Sequence, residues 1–475
     1  MSKKNSIQWI RNFQLSLSHS LADRIQTSVV DLTDERIIES SNSAILDTIG
    51  VTLMGSKSEA TKSVTKALDA KNTPDGALIY GEKRKVSILD AAMINGTSSH
   101  ALDFDDCNNT MGGHPTVPIL AGLLANGESI HANGQDFIKA YVIGIETICA
   151  MAKVLNFHHY EKGWHPTTTL GIFGAVAANA RLQGLDVNKT ATAIAIAASM
   201  ASGIKVNFGT YTKPYHVGQC TRSGLLAVRM ADAGLTASPV ALEAQQGFFE
   251  VYNGKGNYDP NRLLEAWGKP FEIVDPGIAV KLHPCCGSTH PAIDAAIALK
   301  KEHNLKLSDV QSVVSWTHPR RLKHTNRPEV NTGFDGKFSV QYVVSRALQN
   351  GKISLSDFSD DAVNEPEIKQ FLEANIRAEP HPKSKSNEKN VYYAELSITT
   401  NDGRHFQKFI DAPVGRDKDH PLPKNALLNK FYDCCDGVLA PGTETVLANR
   451  LQNFQNLSDV QLISEFIENA TIKRP

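Results

Sequence analysis

The sequence has no excess of charge of either sign: 49 Lys and Arg stand against 50 Asp and Glu, a formal net charge of -1. No broad positive field is available to gather nucleic acid or anionic lipid, so any bound anion must be met by a few local cations. Long hydrophobic runs are missing as well. The charge-free apolar run from Thr190 to Ile204 falls short of the roughly 20 residues a bilayer span needs, and it is mostly Ala, Ser and Thr. No membrane helix is expected. Lys3, Lys4 and Arg11 precede the first acid, Asp23, but no apolar segment of about 7–15 residues follows them. That argues against secretion and leaves a mitochondrial presequence as the minor alternative. The seven cysteines are Cys107, Cys149, Cys220, Cys285, Cys286, Cys434 and Cys435. They are odd in number, form two adjacent pairs and contain no C-x-x-C, which fits neither a disulfide framework nor zinc or iron–sulfur spacing. A reducing, cytoplasmic environment is expected. Also missing are G-x-x-x-x-G-K-[ST], G-x-G-x-x-G, G-x-S-x-G and H-E-x-x-H, so nucleotide-binding, serine-hydrolase and zinc-protease readings lose their support.

What is present is a large helical protein with a different insert. At about 150 residues per domain, 475 residues make two or three domains, or one large core with a smaller partner. From about residue 35 to 270 apolar residues recur at helical spacing, as in Ile38, Ala44, Ile45, Ile49 and Leu53, and Asn-Gly turns interrupt them. Small residues in Gly171 to Ala180 and Ala191 to Ala201 allow helices to pack closely. After Pro276 the texture changes. Val310 to Trp316 is rich in β-branched residues, and Val391 to Thr400, Asn401-Asp402-Gly403 and Arg404 to Ile410 predict a β-hairpin, with a helix over Phe338 to Leu348 between them. Asp411 to Pro423 is a polar, proline-bearing linker, and Asn425 to Asp436, Glu444 to Gln452 and Asp459 to Asn469 are helical again. The expected class is mainly α: residues 1–276 and 413–475 form one helical domain built from both chain ends, and 277–412 form an inserted α+β domain.

The chemistry-bearing segment is His100-Ala-Leu-Asp103-Phe-Asp105-Asp106-Cys107, followed by Gly113-His114-Pro115. Three carboxylates so close repel one another and need exposure, a cation or a retained proton. A solvated helix end is the plain reading. The functional readings are a Mg²⁺ cluster, as in terpenoid synthases, or an acid/base carboxylate working with His114. Aromatics make up only 7% of the chain, which speaks against the aromatic-lined cavity of a terpenoid synthase. Gly163-Trp164-His165-Pro166, Thr212-Lys213-Pro214-Tyr215-His216 and Lys281-Leu282-His283-Pro284-Cys285-Cys286 each set a cation or imidazole and a Pro near a helix start, where free N–H groups favour anions. Singly these are more often caps or core residues; together they suggest a pocket that collects positive charge around a polycarboxylate.

These segments, with Lys337-Phe-Ser-Val-Gln-Tyr342 and the helix Ala44 to Gly50, resemble the MmgE/PrpD family over about residues 20–460. That family includes 2-methylcitrate dehydratases, cis-aconitate decarboxylases and iminodisuccinate epimerases. The resemblance implies a homodimer whose site lies between the helical domain and an α+β lid domain and uses no metal or other cofactor. It matches Asp103 and His114 to the acid/base pair, His165 to a pocket histidine, Lys213 and Lys281 to substrate-carboxylate ligands and Tyr342 to a lid tyrosine; Cys107 and His216 line the same segments and join the substrate-binding set. Two departures stand out. Cys107 replaces the Thr carried by decarboxylases and many dehydratases, and Gly287 follows the Cys pair where several relatives have Arg or Leu. The expected function is a cofactor-independent lyase on a small di- or tricarboxylate. Dehydration of a 2-methylcitrate-like acid is placed first, cis-aconitate decarboxylation second and epimerisation of an iminodisuccinate-like diacid third, with a non-catalytic binding protein on the same scaffold as the alternative. No nucleic-acid or membrane partner is expected.

Overall fold

Short polar side chains start the long helices by accepting the N–H groups that a first turn leaves unpaired. In a computed structural model, which describes residues 16–385, 390–417 and 419–472, Asp34 caps α1 (Glu35–Gly55) and Ser87 caps α2 (Ile88–His100) in this way. Next come α3 (Val117–Ser129), α4 (Gly134–Leu155) behind Asn133, α5 (Gly171–Leu182), α6 (Val187–Met200) behind Asp186, and α7 (Thr212–Asp232). A two-stranded ladder of β1 (Ala77–Leu78) and β2 (Lys85–Val86) precedes α2. Helices account for 56% of the structure and the sheets are small, so the fold is mainly α. The basic stretch holding Lys3, Lys4 and Arg11 lies outside the described residues.

The chain divides into two compact units, one of residues up to 280 together with 424–475, the other of 281–423. In the first, Ile45, Leu46, Ile49, Phe137, Tyr141, Phe173 and Val176 are fully buried in one continuous core. At roughly 1.5–3 kcal/mol for each large apolar side chain removed from water, such a core dominates the stability of the unit. Glycines permit a close helix contact in it. A Cβ at Gly218 of α7 would meet Thr97 Oγ1 at 2.2 Å and the Met93 carbonyl oxygen at 2.3 Å, and one at Gly96 of α2 would meet Gly218 Cα at 3.0 Å. The two helices therefore cross backbone against backbone, and the C-terminal end of α2, at His100, meets the start of α7, at Lys213.

The second unit carries a four-stranded sheet in the order β4-β3-β5-β6, from β3 (Val310–Thr317), β4 (Ile376–Pro380), β5 (Ala394–Thr400) and β6 (His405–Ile410). β3 pairs parallel with β4, Val313 opposite Ile376, and antiparallel with β5, Val313 opposite Ile398. β5 and β6 form the expected hairpin, turning at Gly403 with φ +85°. Val313, Ala394, Leu396 and Ile398 share a core with α8 (His290–His303) and α9 (Val340–Asn350). Residues 413–423 stay with this unit, and the Val414 N–H donates to Asp294 Oδ2 at 3.0 Å. The chain returns to the first unit in α10 (Ala426–Cys435), where Phe431 seats against Gly50 of α1. Among the described residues no helix is long and apolar enough to cross a membrane.

Candidate active site

The loop after α2 brings its carboxylates together by leaving the helix sharply. Asp103 has φ +51°, a left-handed backbone that costs a non-glycine residue on the order of 1–3 kcal/mol and persists only where neighbours enforce it. Its side chain is met by the Lys213 ammonium at 2.7 Å. Lys213 stands in the first turn of α7, where the helix end repels a cation, and it also donates to His100 Nε2 at 2.8 Å. His100 Nδ1 lies 2.9 Å from both oxygens of Asp105. Asp105 Oδ2 lies 2.8 Å from His114 Nδ1, and His114 Nε2 lies 3.6 Å from Asp103 Oδ1. Five titratable side chains thus close a ring.

The donors settle the tautomers. An ammonium only donates, so His100 Nε2 accepts and its proton sits on Nδ1, directed at Asp105. Asp105 receives a second N–H from His114 Nδ1, which leaves His114 Nε2 facing Asp103. Burial drives the His100 pKa down to about 3 against the pull of Asp105, so this imidazole is neutral. Burial alone raises the Asp105 pKa, but the two imidazoles outweigh it and hold the carboxyl well below its usual range. Asp106 differs: burial pushes its pKa well above the carboxylate range, with Asp47 and Asp105 adding to the rise. It pairs with Thr116, whose hydroxyl lies 2.6 Å from Tyr141 Oη. The side chains of Asp103 and Lys213 are 3% exposed and that of Asp105 is fully buried, whereas His114 is 12% exposed. Access from outside the ring runs along the His114 edge.

Of the residues singled out in the sequence, six gather in the first unit. Asp103, His114 and Lys213 form the ring; Cys107 Sγ lies 3.9 Å from His114 Nδ1. His165 stacks beside His100 at 5.8 Å and meets His216 Nδ1 at 3.3 Å through its own Nδ1. His165 Nε2 is buried and has no hydrogen-bond partner among the described residues. Burial and Lys213 push the His165 pKa well below the usual imidazole range and that of His216 down to about 4. Lys281 and Tyr342 belong to the second unit. Lys281 is buried, and the Tyr342 hydroxyl donates to the Asp357 carbonyl and accepts from Arg346 Nε inside that unit's own core. His114 does not cap the following helix; α3 begins without a side-chain cap.

Two ring members, His100 and Asp105, escaped sequence reasoning. Both lie in the segment that drew attention, yet spacing along an irregular loop does not say which carboxylate faces which imidazole. His100, Asp103, Asp105 and His114 offer donor atoms within 4.8 Å of one another, a spacing that could also gather a metal ion. Two of those residues, His100 and Asp103, are bonded to the Lys213 ammonium.

The MmgE/PrpD N-terminal domain matches residues 19–261 and the MmgE/PrpD C-terminal domain matches residues 283–455. The chain belongs to the MmgE/PrpD family. It is 27% identical to the cis-aconitate decarboxylase of Mus musculus over 96% of this chain and 94% of that one, and 27% identical to the Homo sapiens protein over 95% of each. It is 22% identical to the 2-methylcitrate dehydratase of Salmonella typhimurium over 84% of this chain and 86% of that one.

Proposed function

We propose that the protein is a lyase acting on a small di- or tricarboxylate with protein side chains alone, without metal or organic cofactor. The observation that carries this reading is the closed ring of Asp103, Lys213, His100, Asp105 and His114. Removing a proton beside a carboxylate, or losing CO₂ from one, builds negative charge in the transition state, and fixed donors aimed at that charge are often the largest catalytic contribution. Lys213 holds a substrate carboxylate and stabilises the developing charge. Lys281 is proposed as a second substrate-carboxylate ligand, as the family resemblance implies. His114, its Nδ1–H fixed on Asp105, presents Nε2 as the proton carrier. Asp103 is its partner in acid/base exchange, and His165 Nε2 is left for the ligand.

Between reactions, decarboxylation of a cis-aconitate-like substrate comes first, supported by the higher identity of the Mus musculus and Homo sapiens relatives bearing that name. In that reaction the bond from carbon to one carboxyl carbon breaks and CO₂ leaves. The electron pair is delocalised toward a remaining carboxylate, and His114, having taken a proton from solvent at Nε2, delivers it to carbon. Dehydration of a 2-methylcitrate-like acid is the second reading, favoured by two acid/base groups facing each other at 3.6 Å: one takes the proton from carbon and the other protonates the leaving hydroxyl. A cytoplasmic homodimer completes the proposal, with no nucleic-acid or membrane partner. The test is NMR of the protein with cis-aconitate, 2-methylcitrate, citrate and iminodisuccinate in D₂O. A deuterated decarboxylated product supports the first reading, net loss of water the second, and exchange with inversion points to epimerisation. Binding without turnover of any of them would overturn the lyase reading in favour of a binding protein.

A further inference from the structure

We infer that Lys430, backed by Asp47, is a positioning residue that holds the aspartate loop in its working shape; the inference rests on the lyase reading above for its catalytic consequence. Lys430 lies on α10, far along the chain from the loop. Its Nζ donates to the carbonyl oxygen of Phe104 at 2.6 Å and pairs with Asp47 Oδ1, on α1, at 2.6 Å. The ammonium also lies 3.9 Å from the centre of the Phe104 ring. The Lys430 side chain is 4% exposed and that of Asp47 fully buried. Phe104 sits between the two ring carboxylates, immediately after the left-handed Asp103. Gripping its carbonyl and its ring from one point fixes the peptide that determines where Asp103 and Asp105 face.

The surrounding groups give the pair a further reason to exist. Asp47 and Asp105 both raise the pKa of the buried Asp106, and Lys430 is the cation paired with Asp47. Cys434 is a further titratable group within electrostatic reach of Lys430, and burial keeps its thiol protonated, with a pKa pushed up to about 12. Asp106 in turn ties the loop to Thr116, just beyond His114-Pro115. The loop is thus held at two points, by Lys430 at Phe104 and by Thr116 at Asp106; Asp105 falls between them and Asp103 immediately precedes the first.

A merely structural ion pair between α1 and α10 makes a different prediction. Lys430→Met alone strands a buried carboxylate, so the informative variant is the double change Lys430→Met with Asp47→Leu, since apolar replacement of a buried pair tends to keep stability. Two readouts are taken on the full chain: steady-state kinetics on the substrate found by the NMR panel, and the imidazole N–H proton resonance of His114 with its titration midpoint. The double variant is expected to melt near the parent, to lose at least tenfold in kcat with KM changed less than threefold, and to lose or shift the His114 resonance. Lys430→Arg, which keeps the charge and not the single-point grip, is expected to lose less in kcat and to shift the resonance in the same direction. The His114 resonance decides the proposal even if no substrate is found. An unchanged resonance and midpoint in both variants, or a kcat within twofold of the parent, would overturn it and leave Lys430 a structural residue.

Discussion

His159 and His165 are both buried, close in sequence and part of the same unit, yet their surroundings differ in kind. His159 gives its Nδ1–H to Asn253 Oδ1 at 2.8 Å and takes the Thr169 hydroxyl at Nε2 at 2.7 Å, beneath the stacked ring of Trp164. Every polar atom is satisfied by a neutral neighbour. His165 shares its Nδ1 with another imidazole, stacks on His100 and keeps Nε2 buried without a partner among the described residues. His114, nearby, holds one nitrogen on Asp105 and turns the other toward Asp103. Burial therefore does not distinguish the histidines proposed to work on the substrate from a structural one. The distinction lies in whether the protein completes the ring's hydrogen bonds, because an unsatisfied buried nitrogen costs free energy that only a ligand can offset.

The sharpest test of that contrast is His114→Gln. It is expected to melt near the parent temperature and still bind ligand, yet to lose on the order of 10²–10⁴ in kcat. Retained turnover in steady-state assays would move the proton carrier elsewhere, with His165 next. Lys213→Met strands the Asp103 carboxylate, a loss of roughly 3–5 kcal/mol when a buried pair is broken. Calorimetry should show weakened polycarboxylate binding, and Lys281→Met should weaken it too; unchanged affinity in both would remove them from the substrate.

His159→Gln reverses the pattern. It should keep kcat and lose about 1–3 kcal/mol at neutral pH through the broken hydrogen bonds. Burial, the leading cause, sets the His159 pKa at about 4 in the folded protein against an ordinary 6.5. Between those values the unfolded chain binds the extra proton, so this group's contribution to stability falls as pH falls from about 6.5 to about 4. The gap between parent and variant should narrow over that window by up to roughly 3 kcal/mol. Chemical denaturation at several pH values checks it, and a gap independent of pH would show that His159 is not buried neutral. Smaller still, Cys107→Thr should keep the fold and change relative rates across the substrate panel, because the thiol borders His114. Identical rate ratios would remove Cys107 from the specificity set. Prolonged EDTA treatment should have no effect, and activity restored only by Mg²⁺ or Mn²⁺ would assign the His100–Asp105 cluster to a metal.

Much of the fold was legible because its signals are local. The period of Ile38, Ile45 and Ile49 and the Asn401-Asp402-Gly403 turn each act within a few residues, and the hairpin and the helices expected over 338–348, 425–436, 444–452 and 459–469 fall within a few residues of those bounds, whereas the Asn-Gly pairs at 95–96 and 126–127 lie inside α2 and α3 instead of interrupting them. Segments rich in His, Lys and Asp marked the region of the site for the same reason: a run of carboxylates must be relieved by something close at hand.

The sequence by itself determined the mainly helical class, the family and the segments that carry chemistry. The tertiary structure alone decided who faces whom. Gly96 and Gly218 permit the helix crossing that delivers Lys213 to His100 and Asp103. That crossing commits His100 to Asp105, and Asp105 to His114. Lys430 reaches the same loop from the other end of the chain. No local pattern encodes such pairings, because hydrogen-bond direction depends on side chains meeting within about 3 Å, and those meetings are set by the packing of helices distant in sequence.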